Sequence, residues 1–322
     1  MTHIVTVANP LPDALYHYMI ELRETLARIN VSVDYDDTIP SIEGVGLSGK
    51  IAYLLARSKR INNNECYLST WSSVGLLEPW LFHGHNSDFG VINHDPVPLR
   101  RQSGFGVGSR LLASIFRSKH VQIIDHSPDA HAVLTNLYPH AEIISMMHPI
   151  LSHQNVKKTT EGVVLVAGQY KPSRDLDLLS KLGYLLKKNG LRPRIVGRGW
   201  PSDLEAWEVV SRFASEDELT EELTQASVLC VPYKHFFQSG VMIRALEQGT
   251  LSVSPQNSFV TQLLGSSPFI VQTPEIIECW VTAIEQAVDA PQEMAEALFL
   301  NYREKCDISW LAGLELMMSR DA

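Results

Sequence analysis

Along almost the whole chain, short apolar runs of β-rich residues alternate with longer stretches of helical periodicity. The runs at 3–8, 31–34, 66–69, 89–93, 121–124 and 142–146 read as strands, and 15–29, 51–56, 110–117 and 129–137 as helices. Neighbouring parallel strands cannot be joined by a tight turn and need a crossover long enough to hold a helix. The alternation therefore predicts an α/β fold with a doubly wound parallel sheet. It breaks once, at 151–162 (LSHQNVKKTTEG), where polar residues show no period. It then resumes, with strands expected at 163–166, 194–196, 211–213, 228–231 and 251–253. This predicts two Rossmann-like domains, 1–152 and 160–300, facing each other across a ligand cleft at the carboxyl edges of their sheets. A last stretch, 295–318, follows the second set of strands.

Charge and cysteine content narrow the class. With 27 basic against 36 acidic residues the net charge is −9, which argues against a nucleic-acid partner. Basic residues cluster locally at Arg57, Lys59 and Arg60, and at Arg100, Arg101, Arg110, Arg117 and Lys119. Such clusters are first solvated faces, and second contacts to an anionic acceptor or a membrane surface. Cys66, Cys230, Cys279 and Cys306 form no CxxC pair, as expected of a reducing cytoplasm and not of a zinc site. The first residues, MTHIVTVANP, enter a strand directly, so no signal peptide is expected, and no apolar run reaches the ~18 residues of a membrane span.

Residues 227–255 carry the chemistry most directly. An apolar run ends at Pro232, Ser239–Gly240 open a helix, Gly249 closes it, and a new strand begins. A helix N-terminus beside the carboxyl end of a parallel strand presents free N–H groups and a positive dipole end, a seat for phosphate. An ordinary crossover helix with a glycine C-cap has the same pattern.

Taken with 163–179 (VVLVAGQYKPSRDLDLL), 191–201 (LRPRIVGRGWP) and 213–226 (FASEDELTEELTQA), this stretch resembles the donor-binding half of GT-B glycosyltransferases. The likeness is to the bacterial group 1, or family 4-like, nucleotide-sugar transferases, and covers about residues 160–260. It implies a GT-B fold and a donor site. Gly168 opens the basic loop, with Gln169 where the family usually has Arg, and Lys171 and Arg174 as the cations for the diphosphate. Gly197 and Arg198 would line the same cleft, Phe213 and Ala214 would meet the base, and Tyr233 follows the strand at 228–231. Gln238, Ser239, Gly240 and Val241 would give N–H groups to the phosphates.

One departure matters. Family members often carry two glutamates eight positions apart on this helix, the second binding the ribose; here the places hold Phe236 and Arg244. Glu247, three residues on, faces nearly the same side, so either it or Arg244 takes that role, or Glu247 is a surface residue. The retaining outcome that goes with the glutamate pair is thereby open.

In the first half, 91–98 (VINHDPVP) runs into His94-Asp95. The resemblance implies His94 near the transferred sugar, with Asp95 as general base if the reaction inverts. Thr70-Trp71-Ser72 is an acceptor-side candidate, and His148-Pro149-Ile150 reads as architectural. Two further motifs fail on chemistry. The 44–51 string GVGLSGKI puts Ile51 where a P-loop needs a hydroxyl for magnesium. Asp34-Tyr35-Asp36 spells the metal motif of the other glycosyltransferase fold.

The resemblance thus implies a metal-independent transferase with no cofactor, moving sugar from a nucleoside diphosphate to a saccharide or lipid-linked saccharide. Its expected location is cytoplasmic, peripheral to the inner membrane face if the basic clusters touch lipid. A GT-B sugar-nucleotide epimerase and a silent pseudo-transferase are the alternatives.

Overall fold

Two six-stranded sheets, every pair in them parallel, organise the computed structural model, which describes residues 4–36, 41–42, 44–58, 66–83, 88–99, 102–155 and 161–318. Contacts divide the chain into unit 1, Met1–Ser152 with Lys305–Ala322, and unit 2, His153–Glu304.

Unit 1 begins β1 (Ile4–Ala8), α1 (Tyr16–Arg28), β2 (Ser32–Tyr35), α2 (Leu47–Ser58), β3 (Cys66–Ser69) and a 3-10 turn at Gly75–Leu77. It continues α3 (Glu78–Leu81), β4 (Phe89–Ile92), α4 (Val107–Ile115), β5 (Val121–Asp125), α5 (Pro128–Leu137) and β6 (Glu142–Ser145). The sheet order is β2-β1-β3-β4-β5-β6. Strands β3, β4 and β5 are buried on both faces, which explains their continuous rather than alternating apolar character. Phe82 and Phe89 stack at 3.6 Å in the core, against Phe116, Leu134 and Tyr138.

Unit 2 runs β7 (Val163–Ala167), α6 (Leu176–Lys188), β8 (Arg192–Val196), β9 (Glu208–Val210), α7 (Glu216–Gln225), β10 (Val228–Cys230) and α8 (Gly240–Glu247). Then come β11 (Ser252–Pro255), α9 (Ser258–Leu264), β12 (Ile270–Val271), α10 (Ile277–Asp289) and α11 (Gln292–Met318). Its sheet order, β12-β11-β10-β7-β8-β9, reverses between β7 and β10. At such a switch point the crossovers depart to opposite faces and leave a crevice at the carboxyl ends of the two strands. The last turns of α11 belong to unit 1, where the Trp310 indole donates to the Met147 carbonyl at 2.8 Å.

Several elements differ from the sequence expectation. The strand expected at 211–213 lies earlier, as β9, which leaves Phe213 in the loop beyond it. The helix expected at 51–56 starts earlier, at Leu47 inside the glycine string, and runs to Ser58, with Leu54 as its buried residue. Neither the 3-10 turn nor α3 was anticipated; buried Glu78 fixes both by accepting from the Ser69 hydroxyl at 3.3 Å and from the Ser73 N–H. Lys59, Arg60, Arg100, Arg101 and residues 156–160 of the polar break lie outside the described residues.

Candidate functional site

In unit 2 the switch point is built from glycines and one buried cation. After β7, Gly168 takes φ +92°, a conformation that favours a residue without Cβ, and its N–H donates to the Val196 carbonyl at 2.9 Å. Gly197, at φ +149°, lets the next loop approach: a Cβ there would lie 2.1 Å from the Gly168 carbonyl oxygen. Trp200 donates its indole N–H to that same oxygen at 2.9 Å, and the Tyr170 N–H donates to the Arg198 carbonyl at 2.9 Å. The loops after β7 and β8 thus form one hydrogen-bonded surface.

Arg174 folds back under it. Its Nη2 donates to the Ala167 carbonyl at 2.6 Å, and its guanidinium lies 4.4 Å from the Tyr233 ring centroid and 5.1 Å from that of Trp200. Flat delocalised charge between aromatic faces is favourable where an ammonium would be poorly solvated. Arg174 is only 4% exposed, and burial pulls its proton affinity below the usual value while Tyr233 opposes the shift. A guanidinium still stays charged at neutral pH. Its Nε is buried without an acceptor among the described residues.

The start of α8 meets this cation. A Cβ placed on Gly168 would sit 3.4 Å from Arg174 Nη2 and 3.6 Å from Val241 Cγ2. Ser239 is the N-cap in extended conformation and makes no side-chain cap bond. Among the described residues, no backbone acceptor takes the Gly240 and Val241 N–H groups. Those donors, the helix dipole and Arg174 together give a compact positive site.

The remaining sequence candidates divide. Gln169, Lys171 and Gln238 are half-buried in the surrounding loops, and Arg198 is exposed. Phe213 is 70% exposed, while its carbonyl accepts from Arg212 at 3.1 Å; Ala214 precedes the Ser215–Glu218 capping box of α7. Arg244 points to α7, donating to Glu216 Oε2 at 2.7 Å, the Glu216 carbonyl at 3.0 Å and Thr220 Oγ1 at 2.9 Å. Its charge is spent on the Glu216 carboxylate rather than on the Gly168 loop. Glu247 is buried in the last turn of α8, and Phe236 packs on Tyr233 at 5.3 Å between centroids. Trp200 had no place among the expected site residues, although an aromatic directly after Gly-x-Gly was there to be seen.

In unit 1 the carboxyl ends of β3 to β6 gather buried histidines. His94 Nε2 donates to the Thr70 carbonyl at 2.9 Å, so Nδ1 is the acceptor nitrogen of the neutral ring. The ring stacks on Trp71 at 5.3 Å and meets the edge of Tyr18 at 4.9 Å. Burial lowers its pKa to about 4. His126 donates from Nδ1 to the Met146 carbonyl at 2.6 Å and accepts the Tyr18 hydroxyl at Nε2, 3.0 Å away. His148 donates from Nδ1 to the Pro149 carbonyl at 2.9 Å, and burial takes its pKa down to about 3. Asp95 is half-buried beside His94 in the chain. At the β1 and β2 ends a cleft of about 430 Å³ is lined by Asn9, Tyr16, Arg23, Tyr35 and Asp36, with the Arg23 guanidinium 4.1 Å over Tyr35.

No family model matches the chain, and no curated protein matches it. Solved structures do. A UDP-forming trehalose-phosphate synthase from Burkholderia xenovorans aligns over 99% of both chains at 12% identity, with TM-score 0.62. TarM aligns over 83% of this chain and 58% of its own, at 15% identity and TM-score 0.64. The pneumococcal O-GlcNAc transferase GtfA, in complex with UDP and GlcNAc, aligns over 84% of this chain and 60% of its own, at 12% identity and TM-score 0.58. The chain thus spans less than two thirds of the length of the last two. The fold is GT-B, as expected from the sequence.

Proposed function

We propose that the chain is a nucleotide-sugar glycosyltransferase. Unit 2 binds the nucleoside diphosphate, and unit 1 supplies the acceptor side. The carrying observation is the convergence of Gly168, Arg174 and the uncapped start of α8 at one switch point. Developing charge on a departing diphosphate needs preorganised donors, and the Gly240 and Val241 N–H groups with Arg174 meet that need without a metal or cofactor. The aligned proteins include a UDP-forming synthase and a transferase bound to UDP, which favours a sugar linked to a nucleoside diphosphate as donor.

His94 is the candidate partner of the transferred sugar. It is neutral at physiological pH, and its Nε2 is held by the Thr70 carbonyl. Asp95 is the candidate base if the reaction inverts. The acceptor is a saccharide or a lipid-linked saccharide, and a lipid-linked one places the enzyme at the cytoplasmic face of a membrane.

A thermal-shift panel of UDP, GDP, ADP, CMP, TDP and their common sugars tests the reading. One diphosphate should raise Tm in a dose-dependent way. Flat curves at millimolar ligand would refute it. A second reading, a pseudo-transferase that binds without turnover, rests on Phe236 and Arg244 being committed to packing and to Glu216. Stabilisation by a nucleotide sugar that is never consumed would select it.

A further inference from the structure

We propose that the cleft between α1 and the carboxyl ends of β1 and β2 seats an anionic sugar of the acceptor, with Arg23 reading its charge. Helix α1 buries Tyr18, Leu22, Thr25 and Leu26 in unit 1. Tyr16, Met19, Ile20 and Arg23 repeat that spacing of three and four on its next side, and they line the cleft. Tyr35 and Asp36 join them from the end of β2. At about 430 Å³ the cleft is of ligand size, on the order of 300–1,000 Å³, and all its lining belongs to unit 1.

The lining fits a sugar ring. Tyr16 is 55% exposed, and Met19, Ile20 and Tyr35 are half-buried, so flat and aliphatic surface meets water there. The C–H face of a pyranose covers such surface while its hydroxyls stay at the rim for polar partners. Asp36, steadied by the Tyr67 hydroxyl at 3.2 Å, is an acceptor for them. Asn9, whose Oδ1 takes the Leu11 N–H at 3.0 Å, keeps its amide NH2 to donate.

Arg23 sets the charge. Its guanidinium lies 4.1 Å over the Tyr35 ring, and no acceptor takes its N–H groups among the described residues. Arg28, further along the same helix, is by contrast paired with Asp307 at 2.7 Å. A planar fork held in place by a ring suits a bidentate carboxylate or phosphate better than a neutral hydroxyl. The loop after β1, Asn9-Pro10-Leu11-Pro12, has no glycine to admit a diphosphate to its backbone, which disfavours a second nucleotide. The occupant is therefore a saccharide bearing a carboxylate or a phosphate, and its standing as acceptor rests on the transferase reading.

An array of neutral, uronate-containing and phosphorylated oligosaccharides, probed with the full chain, tests it. Binding confined to the anionic glycans is expected, and the uronate and phosphate spots tell which anion is read. Arg23→Gln should lower that binding about tenfold or more, and Tyr35→Ala about fivefold or more. Arg110→Gln, which removes an exposed cation elsewhere on unit 1, should not lower it. Arg23 is itself exposed, and an unaltered circular dichroism spectrum would verify folding of its variant. Equal binding of neutral glycans, or wild-type binding by Arg23→Gln, would overturn the proposal. So would an array without binding: if a nucleoside diphosphate still raises Tm, the transferase reading stands and this subsite falls, and if none does, both fall. Loss of the nucleotide response in Arg23→Gln would also overturn it, by assigning the cleft to a nucleotide.

Discussion

Arg174 illustrates how one side chain can be readable in type and unreadable in setting. Its distance from Gly168 marks it as the loop cation, but the two aromatic faces on it come from positions 200 and 233. Local spacing carries no trace of that cage. Arg174→Lys keeps the charge and loses the planar faces and the Nη2 bond, so we expect donor affinity to fall about tenfold or more by calorimetry, with the fold intact. Gly197 is constrained more simply, by space. A methyl there would collide with the Gly168 carbonyl, and Gly197→Ala should cost at least about 2 kcal/mol in urea denaturation.

The α7–α8 pair tests the reading of Arg244. The glutamate-spaced position suggested a ligand contact, yet three donor bonds tie this guanidinium to Glu216 and Thr220, 28 and 24 positions away. Arg244→Met should therefore destabilise unit 2 by about 2 kcal/mol while changing the nucleotide Kd less than about threefold. A large Kd change with unaltered stability would return Arg244 to the ligand. Strand and helix positions were legible because a short apolar run and the period of 3.6 are both local signals. The residues that α8 aims at are not, because they depend on which helix packs beside it. The same holds for α3, whose EPWL has no period and is fixed by one buried carboxylate in contact with Ser69 and Ser73.

At the scale of the molecule, the buried histidines set a pH response. His94 and His148 have folded pKa values of about 4 and about 3, below the unfolded 6.5, and His126 lies well below it too. The unfolded chain therefore binds more protons as pH falls, so their contribution is intact above 6.5 and is lost between 6.5 and the folded values. Asp125 acts in the opposite sense: burial raises it to about 6, so protonating it between pH 6 and 4 favours the folded state. Three groups outweigh one, and Tm should decline from pH 6.5 to 4, more steeply in Asp125→Asn. A flat profile would contradict the buried cluster.

Helix α11 belongs to both units, and its turns from Lys305 onward bring Trp310, Leu314 and Met317 fully into the core of unit 1. During synthesis the ribosome makes every residue of unit 2 before these are available. The first half of the protein must then leave the exit tunnel with an incomplete interior and wait, while the second can close first. Nascent chains arrested before residue 305 should be cut by protease throughout their first 152 residues and protected beyond them.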